Sequence, residues 1–257
     1  MEVKYGKTIC IYSTKGGVGK TTLTLSLAGI YATMKKKVLI VDLDLYSGGI
    51  GLALNVNQEK DIYNLVDDLN NNRFEQFDDY ICKYNDYIDV LCSPKDPRLG
   101  NKVDSKYVDL VIARAEQRYD IILVDTMHVI DEIVLSILDT SYRNVLVMIN
   151  DPFNLKNMKS FVSILKDNEK NNFKVVVNDA LSITKNYFSN FDIKSVIKAP
   201  VDLQLSKKFY MKDMDHYIME GIIPTLTNTG KLKTDADTKA LQKFALELLE
   251  EDGDTHE

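Results

Sequence analysis

Nine consecutive residues of this 257-residue chain, Thr14–Thr22 (T-K-G-G-V-G-K-T-T), bring three glycines, two lysines and two adjacent hydroxyls into one short stretch. Gly16, Gly17 and Gly19 free the backbone to turn its N–H groups onto phosphate oxygens. An apolar run precedes the stretch and a helical spacing follows it, so an anion-favouring helix N-terminus is expected beneath it. In that setting Lys20 reaches the β- and γ-phosphates, Thr21 presents its hydroxyl to magnesium, and Thr22 is the next phosphate donor. Thr14, Lys15 and Val18 complete the cradle. The expected ligands are a nucleoside triphosphate, ATP, and Mg2+. The plainer reading, a Gly-rich turn with an incidental lysine, does not account for the strand before it and the helix after it.

Carboxylates follow at strand ends. Val41–Asp44 (V-D-L-D) closes one apolar run, and Ile121–Val124 runs into Asp125. Groups at the C-terminal ends of such strands flank bound phosphates in α/β sheets. Asp125 is the expected magnesium partner, with Asp42 beside the metal shell. The alternative for Asp42 and Asp44 is a pair capping the turn before Gly48-Gly49. His128 has no carboxylate or nucleophile partner in the sequence and receives no catalytic role.

The elements that must position these groups alternate. Strands are expected at Lys7–Ser13, Lys37–Asp42, Tyr87–Cys92, Asp120–Asp125, Arg143–Ile149, Phe173–Asn178 and, more weakly, Ile193–Ala199. Helices are expected at Thr21–Met34, Asp61–Leu69, Ser105–Arg118, Ile130–Thr140, Leu155–Asn168, Leu203–Met211 and Asp235–Glu251. Uniformly apolar strands alternating with helices imply a doubly wound α/β fold, a mainly parallel sheet covered on both faces. No composition shift divides the chain, so one domain spans 1–257, with a connector at Gly221–Asp235 and an acidic, frayed tail from about residue 250.

The composition is that of an ordinary globular protein, with 45% hydrophobic and 27% charged residues. Net charge is −6 and pI about 5.2, which argues against a wholly nucleic-acid-binding surface. Cys10, Cys82 and Cys92 lack metal-ligand spacing and suit a reducing compartment. No run reads as a membrane span or signal peptide, and a cytoplasmic location is expected.

The loop K-G-G-V-G-K-T-T, with Thr14 where a first glycine is usual and Lys15 before the glycine pair, resembles the deviant phosphate loop of the ParA/MinD family of ATPases. The order of elements agrees over nearly the whole chain. The resemblance implies slow, partner-stimulated ATP hydrolysis by a homodimer that forms on ATP. It implies that Lys15 reaches the partner monomer's nucleotide and that Asp44 positions the attacking water. Asn178, at the end of V-V-V-N, would read the adenine ring, with Pro200 on the base's other side; a strand-terminal turn is the equal alternative for Asn178. Two departures touch the switch segments: Leu45-Tyr46 in place of Pro-Gln, and Thr126-Met127-His128 where a proline is usual.

Three branches compete. A MinD-like membrane helix is not expected, because the stripe Leu241, Phe244, Ala245, Leu248 and Leu249 is flanked by Glu247, Glu250 and Glu251. A ParA-like DNA surface rests on Lys194, Lys198, Lys207, Lys208, Lys212, Lys231 and Lys233, and nucleic acid is possible but not favoured. The run V-L-I-V-D-L-D-L-Y-S-G-G-I-G-L-A-L and the stretches A-P-V-D and E-G-I-I-P resemble Flp/Tad-type pilus-assembly ATPases, the branch preferred by a small margin.

Overall fold

The computed structural model describes residues 5–179, 187–206, 214–226 and 236–251. Strand β1 (Lys7–Tyr12) leads through the Gly-rich loop into helix α1 (Lys20–Thr33). Then follow β2 (Val38–Leu43), a one-turn helix α2 (Ile50–Ala53), α3 (Ile62–Asn70), β3 (Cys82–Lys83), β4 (Ile88–Leu91) and α4 (Ser105–Glu116). Next are β5 (Ile121–Thr126), α5 (Glu132–Thr140), β6 (Arg143–Met148), α6 (Pro152–Asp167) and β7 (Phe173–Asn178). After them come α7 (Asn190–Ile197), β8 (Leu203–Leu205), α8 (Met214–Met219) and α9 (Ala236–Glu247).

The eight strands form one sheet in the order β3-β4-β2-β5-β1-β6-β7-β8, parallel except for the β3–β4 pair. This is the expected doubly wound fold. Alternation along each strand sorts side chains to opposite faces. Cys10 and Tyr12 join Leu39, Val41, Ile122 and Val124 in the layer beneath α3–α7. Ile9 and Ile11 join Val38, Ile40, Ile121 and Leu123 in the layer beneath α1 and α9. Both layers are fully buried, which explains why the strands read as unbroken apolar runs.

The final helix shows where its stripe goes. Leu241, Phe244, Ala245 and Leu248 are buried in the α1-side layer. Tyr31 of α1 donates its hydroxyl to the Ala245 carbonyl at 2.8 Å. The end of the segment is fastened to the opposite edge of the strands: Lys7 bonds the Leu249 carbonyl, while Tyr142 and Arg143 donate to Glu250 at 2.8 and 2.6 Å.

Two expectations are corrected. Ile193–Ala199 is not a strand; residues 190–197 form α7. Ser189 and Asp192 make a reciprocal capping box, and Ile193, Val196 and Ile197 repeat at i, i+3, i+4, so capping and spacing outweigh the β-branched composition. Leu203 to Leu205 form β8, not the start of a helix, with Leu203 and Leu205 buried on either side of exposed Gln204. The rest of that expected helix, from 207, lies outside the described residues. The short β3 escaped notice because two residues carry no readable period. Residues 227–235 of the expected connector and 252–257 of the expected tail also lie outside the description. So do Lys207, Lys208, Lys212, Lys231 and Lys233, while Lys194 is exposed on α7 and Lys198 caps its C-terminus.

Candidate functional site

Strand register brings the chemistry together. Ile11 of β1 and Asp42 of β2 both pair with Asp125 of β5, so the loops leaving these three central strands start at one level. The loop after β1 then bends back over the sheet. Gly17 and Gly19 take φ of +70° and +95°, conformations that disfavour any side chain. Gly19 is the N-cap of α1, with no side-chain cap on the helix. The first-turn N–H groups of α1 are therefore left for an external acceptor.

Lys20 opens the helix and is 8% exposed. Burial lowers its pKa, opposed by the carboxylates of Asp125 and Asp44. Thr21 donates its hydroxyl to Asp125 at 2.6 Å, and Thr24, one turn on, reaches the other Asp125 oxygen at 3.2 Å. Thr24 was not singled out from the sequence, although its i+3 spacing from Thr21 puts both hydroxyls on one helix face. Val18 is fully buried, and its carbonyl accepts from the Asn178 amide at 2.9 Å. Thr22 is half-buried; its carbonyl accepts from Ser26 at 2.7 Å. Gly16 lies under the His128 ring: a Cβ built there would meet Nδ1 at 3.4 Å. Pro200 is exposed between α7 and β8.

Asp42 and Asp125 are distinct in use. Asp42 is completely buried and accepts from the Ser93 hydroxyl at 3.0 Å and from the backbone of Asp44 and Ile50 at 3.2 Å each. It thereby ties the segment from Asp44 to α2 onto the sheet. Ser93, absent from the sequence reading, is the other half of that clamp. Asp44 is half-buried in the turn, its side chain accepting from Ser47 N–H at 3.2 Å. Gly48 passes so close that a Cβ would lie 2.1 Å from Ser93 Oγ and 2.6 Å from Asp42 Oδ2. Gly48→Ala is expected to break the Ser93–Asp42 bond and cost about 1–3 kcal/mol, read by chemical denaturation.

Burial, with Asp125 alongside, pushes the Asp42 carboxyl up to about 7 against its hydrogen bonds. Burial likewise pushes Asp125 up to about 6, opposed by Thr21 and Lys20. Both folded-state values exceed the unfolded value of 3.8, so the native chain holds these protons more tightly. Their contribution to stability is greatest at low pH and is lost as pH rises from about 4 to about 7, a loss on the order of a few kcal/mol. Denaturation at about pH 5 and about pH 7.5 checks this: Asp42→Asn is expected to flatten the difference.

Lys15 is tied within its own chain. Its ammonium meets Asp151 Oδ2 at 2.8 Å, and the side chain is 42% exposed. Asp151 is the N-cap of α6, also accepting from Phe153 and Asn154 N–H. Asn154 is buried and donates to Thr14 Oγ1 at 3.2 Å. Apolar spacing alone starts this helix at Leu155; the Asp151-Pro152 cap moves its start to Pro152, and the link to the loop 136 residues away has no local signal.

Thr21 and Asp125 offer hard oxygen donors, the kind magnesium takes alongside phosphate oxygens and water. Among the described residues no cluster of three or more His, Cys, Asp or Glu could hold a metal ion, so any metal here depends on such shared ligands. Nor is any helix there long and apolar enough to cross a membrane.

A family model described as an AAA domain matches residues 6–183. Over 68 residues the chain is 38% identical to the chromosome partitioning protein ParA of Myxococcus xanthus, a match covering 26% of this chain and only 24% of that protein. Over 265 residues it is 24% identical to the chromosome-partitioning ATPase Soj of Treponema pallidum, covering 96% and 99% of the two chains. The solved septum site-determining protein MinD of Pyrococcus horikoshii, complexed with Mg-ADP, has the same fold: TM-score 0.76 at 22% identity, covering 95% of this chain and 96% of that one.

Proposed function

Because the chain belongs to the AAA-domain family, among ATPases of the ParA/MinD type, we propose that it binds ATP and Mg2+ at Thr14–Thr22 and hydrolyses the ATP slowly. On this reading it forms a homodimer on ATP and works as a positional switch, reset by hydrolysis that a protein partner stimulates. The observation that carries the reading is the 2.6 Å bond from Thr21 to buried Asp125 at the mouth of the loop. It sets side by side a hydroxyl and a carboxylate of the kind a magnesium shell takes. Asp42 lies behind them, its oxygens already engaged by Ser93 and the 44–50 backbone.

Each residue then has a task. Gly16–Gly19 and the start of α1 receive the phosphates. Lys20 neutralises the β- and γ-oxygens. Asp44, on the turn that Asp42 holds, orients the attacking water. Thr21 and Asp125 would hold magnesium, which when bound would supply neutralisation of phosphate charge. Asn178 and Pro200 are assigned to the base; the Asn178 bond to Val18 ties that strand end to the loop.

Lys15 is assigned to the partner's nucleotide, which requires release from Asp151. Light scattering of the purified chain is expected to show an ATP-dependent doubling of mass, lost in Lys15→Ala while ATP binding stays within a few-fold. A chain that remains monomeric with ATP in every variant would overturn the dimer.

The cargo we infer is a pilus or secretion machine, on the strength of the runs 38–54 and 199–224. A second reading, DNA partition, is supported by the names of the ParA and Soj relatives. DNA binding that weakens steeply across a salt series would favour the second.

A further inference from the structure

Two of the three cysteines meet at the edge of the sheet. Cys82 is in β3 and pairs in register with Val90 of β4; Cys92 lies two residues further along, on the same face. Their sulfurs are 3.9 Å apart, with Cys92 donating to Cys82. Neither takes part in the nucleotide chemistry proposed above. Cys82 lines a surface cavity of about 590 Å3, together with Asn57, Glu59, Lys60, Asp79 and Lys83. Cys82 is 6% exposed beside this cavity, whereas Cys10 is fully buried.

The two thiols differ in reactivity. The hydrogen bond from Cys92, nearby Lys95 and the Glu59 backbone bring the Cys82 thiol down to about 7, against its burial. Cys92, the donor of that bond and itself buried, is pushed up. Cys82 is thus the nucleophile of the pair.

Cys92 also touches the clamp. Its sulfur lies 3.0 Å from where a Cβ on Gly51 of α2 would stand. Its neighbour Ser93 holds Asp42. An S–S bond is about 2.05 Å long, so closing the gap moves the sulfurs, and any shift of the Cys92 sulfur alters its packing on Gly51. The diagonal placement of the two residues across the ladder also requires the backbone to give.

We propose that Cys82 and Cys92 form a reversible disulfide with a low-molecular-weight disulfide as oxidant, and that its closure loosens α2 and the turn before it. The Cys82 thiolate attacks one sulfur of the small disulfide and expels a thiolate. Cys92, deprotonated by that thiolate, attacks the Cys82 sulfur of the mixed disulfide and expels the second. The protein loses two protons and two electrons; the small disulfide gains both and leaves as two thiols.

The test equilibrates the full chain at neutral pH across ratios of reduced to oxidised glutathione, followed by acid quench, alkylation and peptide mapping. The expected result is one transition that links the Cys82 and Cys92 peptides with loss of two hydrogens, Cys10 staying a thiol. Cys92→Ser is expected to stop at a glutathione adduct on Cys82, and Cys82→Ser to give no adduct. Amide exchange at Ile50–Ala53 is expected to quicken in the oxidised chain. Two free thiols at the oxidising extreme would overturn the disulfide, and an adduct on Cys92 in Cys82→Ser would overturn Cys82 as the attacking thiol. Unchanged exchange with the bridge formed would overturn its link to α2. None of these readouts depends on ATP, so they stand or fall apart from the nucleotide reading.

Discussion

Lys20→Ala is expected to abolish ATP binding at concentrations that saturate the unaltered chain. Lys20 is 8% exposed at the first residue of α1, directly after the positive-φ Gly19. Burial already disfavours its charge, so little further desolvation is needed for its bonds to phosphate oxygens. Removing one partner of such a charged, desolvated contact costs about 2–5 kcal/mol. That is a loss in affinity of roughly thirtyfold to several thousandfold. A second effect adds to it. Lys20 is one of the groups holding the Asp125 carboxyl down against burial. Without it, Asp125 moves further above about 6, and a proton competes with magnesium near neutral pH. Isothermal titration with ATP and Mg2+ reads both effects, since the second fades as pH is raised. Lys20→Met keeps the aliphatic stem and separates packing from charge. Affinity within tenfold of the unaltered chain in both variants would mean that the phosphates do not sit on this loop.

Asp44→Ala is expected to leave nucleotide affinity within a few-fold and to lower the single-turnover rate on the order of a hundredfold or more, the usual scale for a lost proton-handling or water-positioning group. The fold around it tolerates the change. The turn keeps its backbone bond from Gly48 N–H to the Asp44 carbonyl at 2.6 Å, and Asp42 still grips Asp44 N–H and Ile50 N–H. Only the carboxylate and its bond from Ser47 are removed. With hydrolysis blocked and binding intact, the ATP-bound dimer is expected to accumulate on a sizing column. Normal turnover by this variant would assign the water to another group, with His128 over Gly16 the first to examine.

The sheet was legible because its strands are buried on both faces and therefore apolar throughout, while the helices between them carry a 3.6-residue stripe. The loop was legible because its glycines, lysine and hydroxyls are contiguous. What could not be read were partners distant in sequence. Ser93 reaches Asp42 across 51 positions, Asn154 reaches Thr14 across 140, and Asp151 reaches Lys15 across 136. No local period encodes such meetings; register does. The error at α7 had a local cause. Ile193, Val196 and Ile197 are β-branched and so mimic a strand, while the Ser189–Asp192 cap that starts the helix lies just outside the apolar run. Asp42 shows the same limit within a site: its position beside Asp125 was foreseeable from two strand-ending aspartates, but its engagement with the 44–50 segment depended on how that loop folds back.

The anchoring of the last helix bears on how the molecule can be instrumented. Lys7, Tyr142 and Arg143, which seize the carbonyls of Leu249 and Glu250, stand at or beside the N-terminal ends of β1 and β6. The phosphate loop leaves the other end of β1. A fluorescent label on the Leu249–Glu250 turn would therefore stand on the side remote from the phosphate loop.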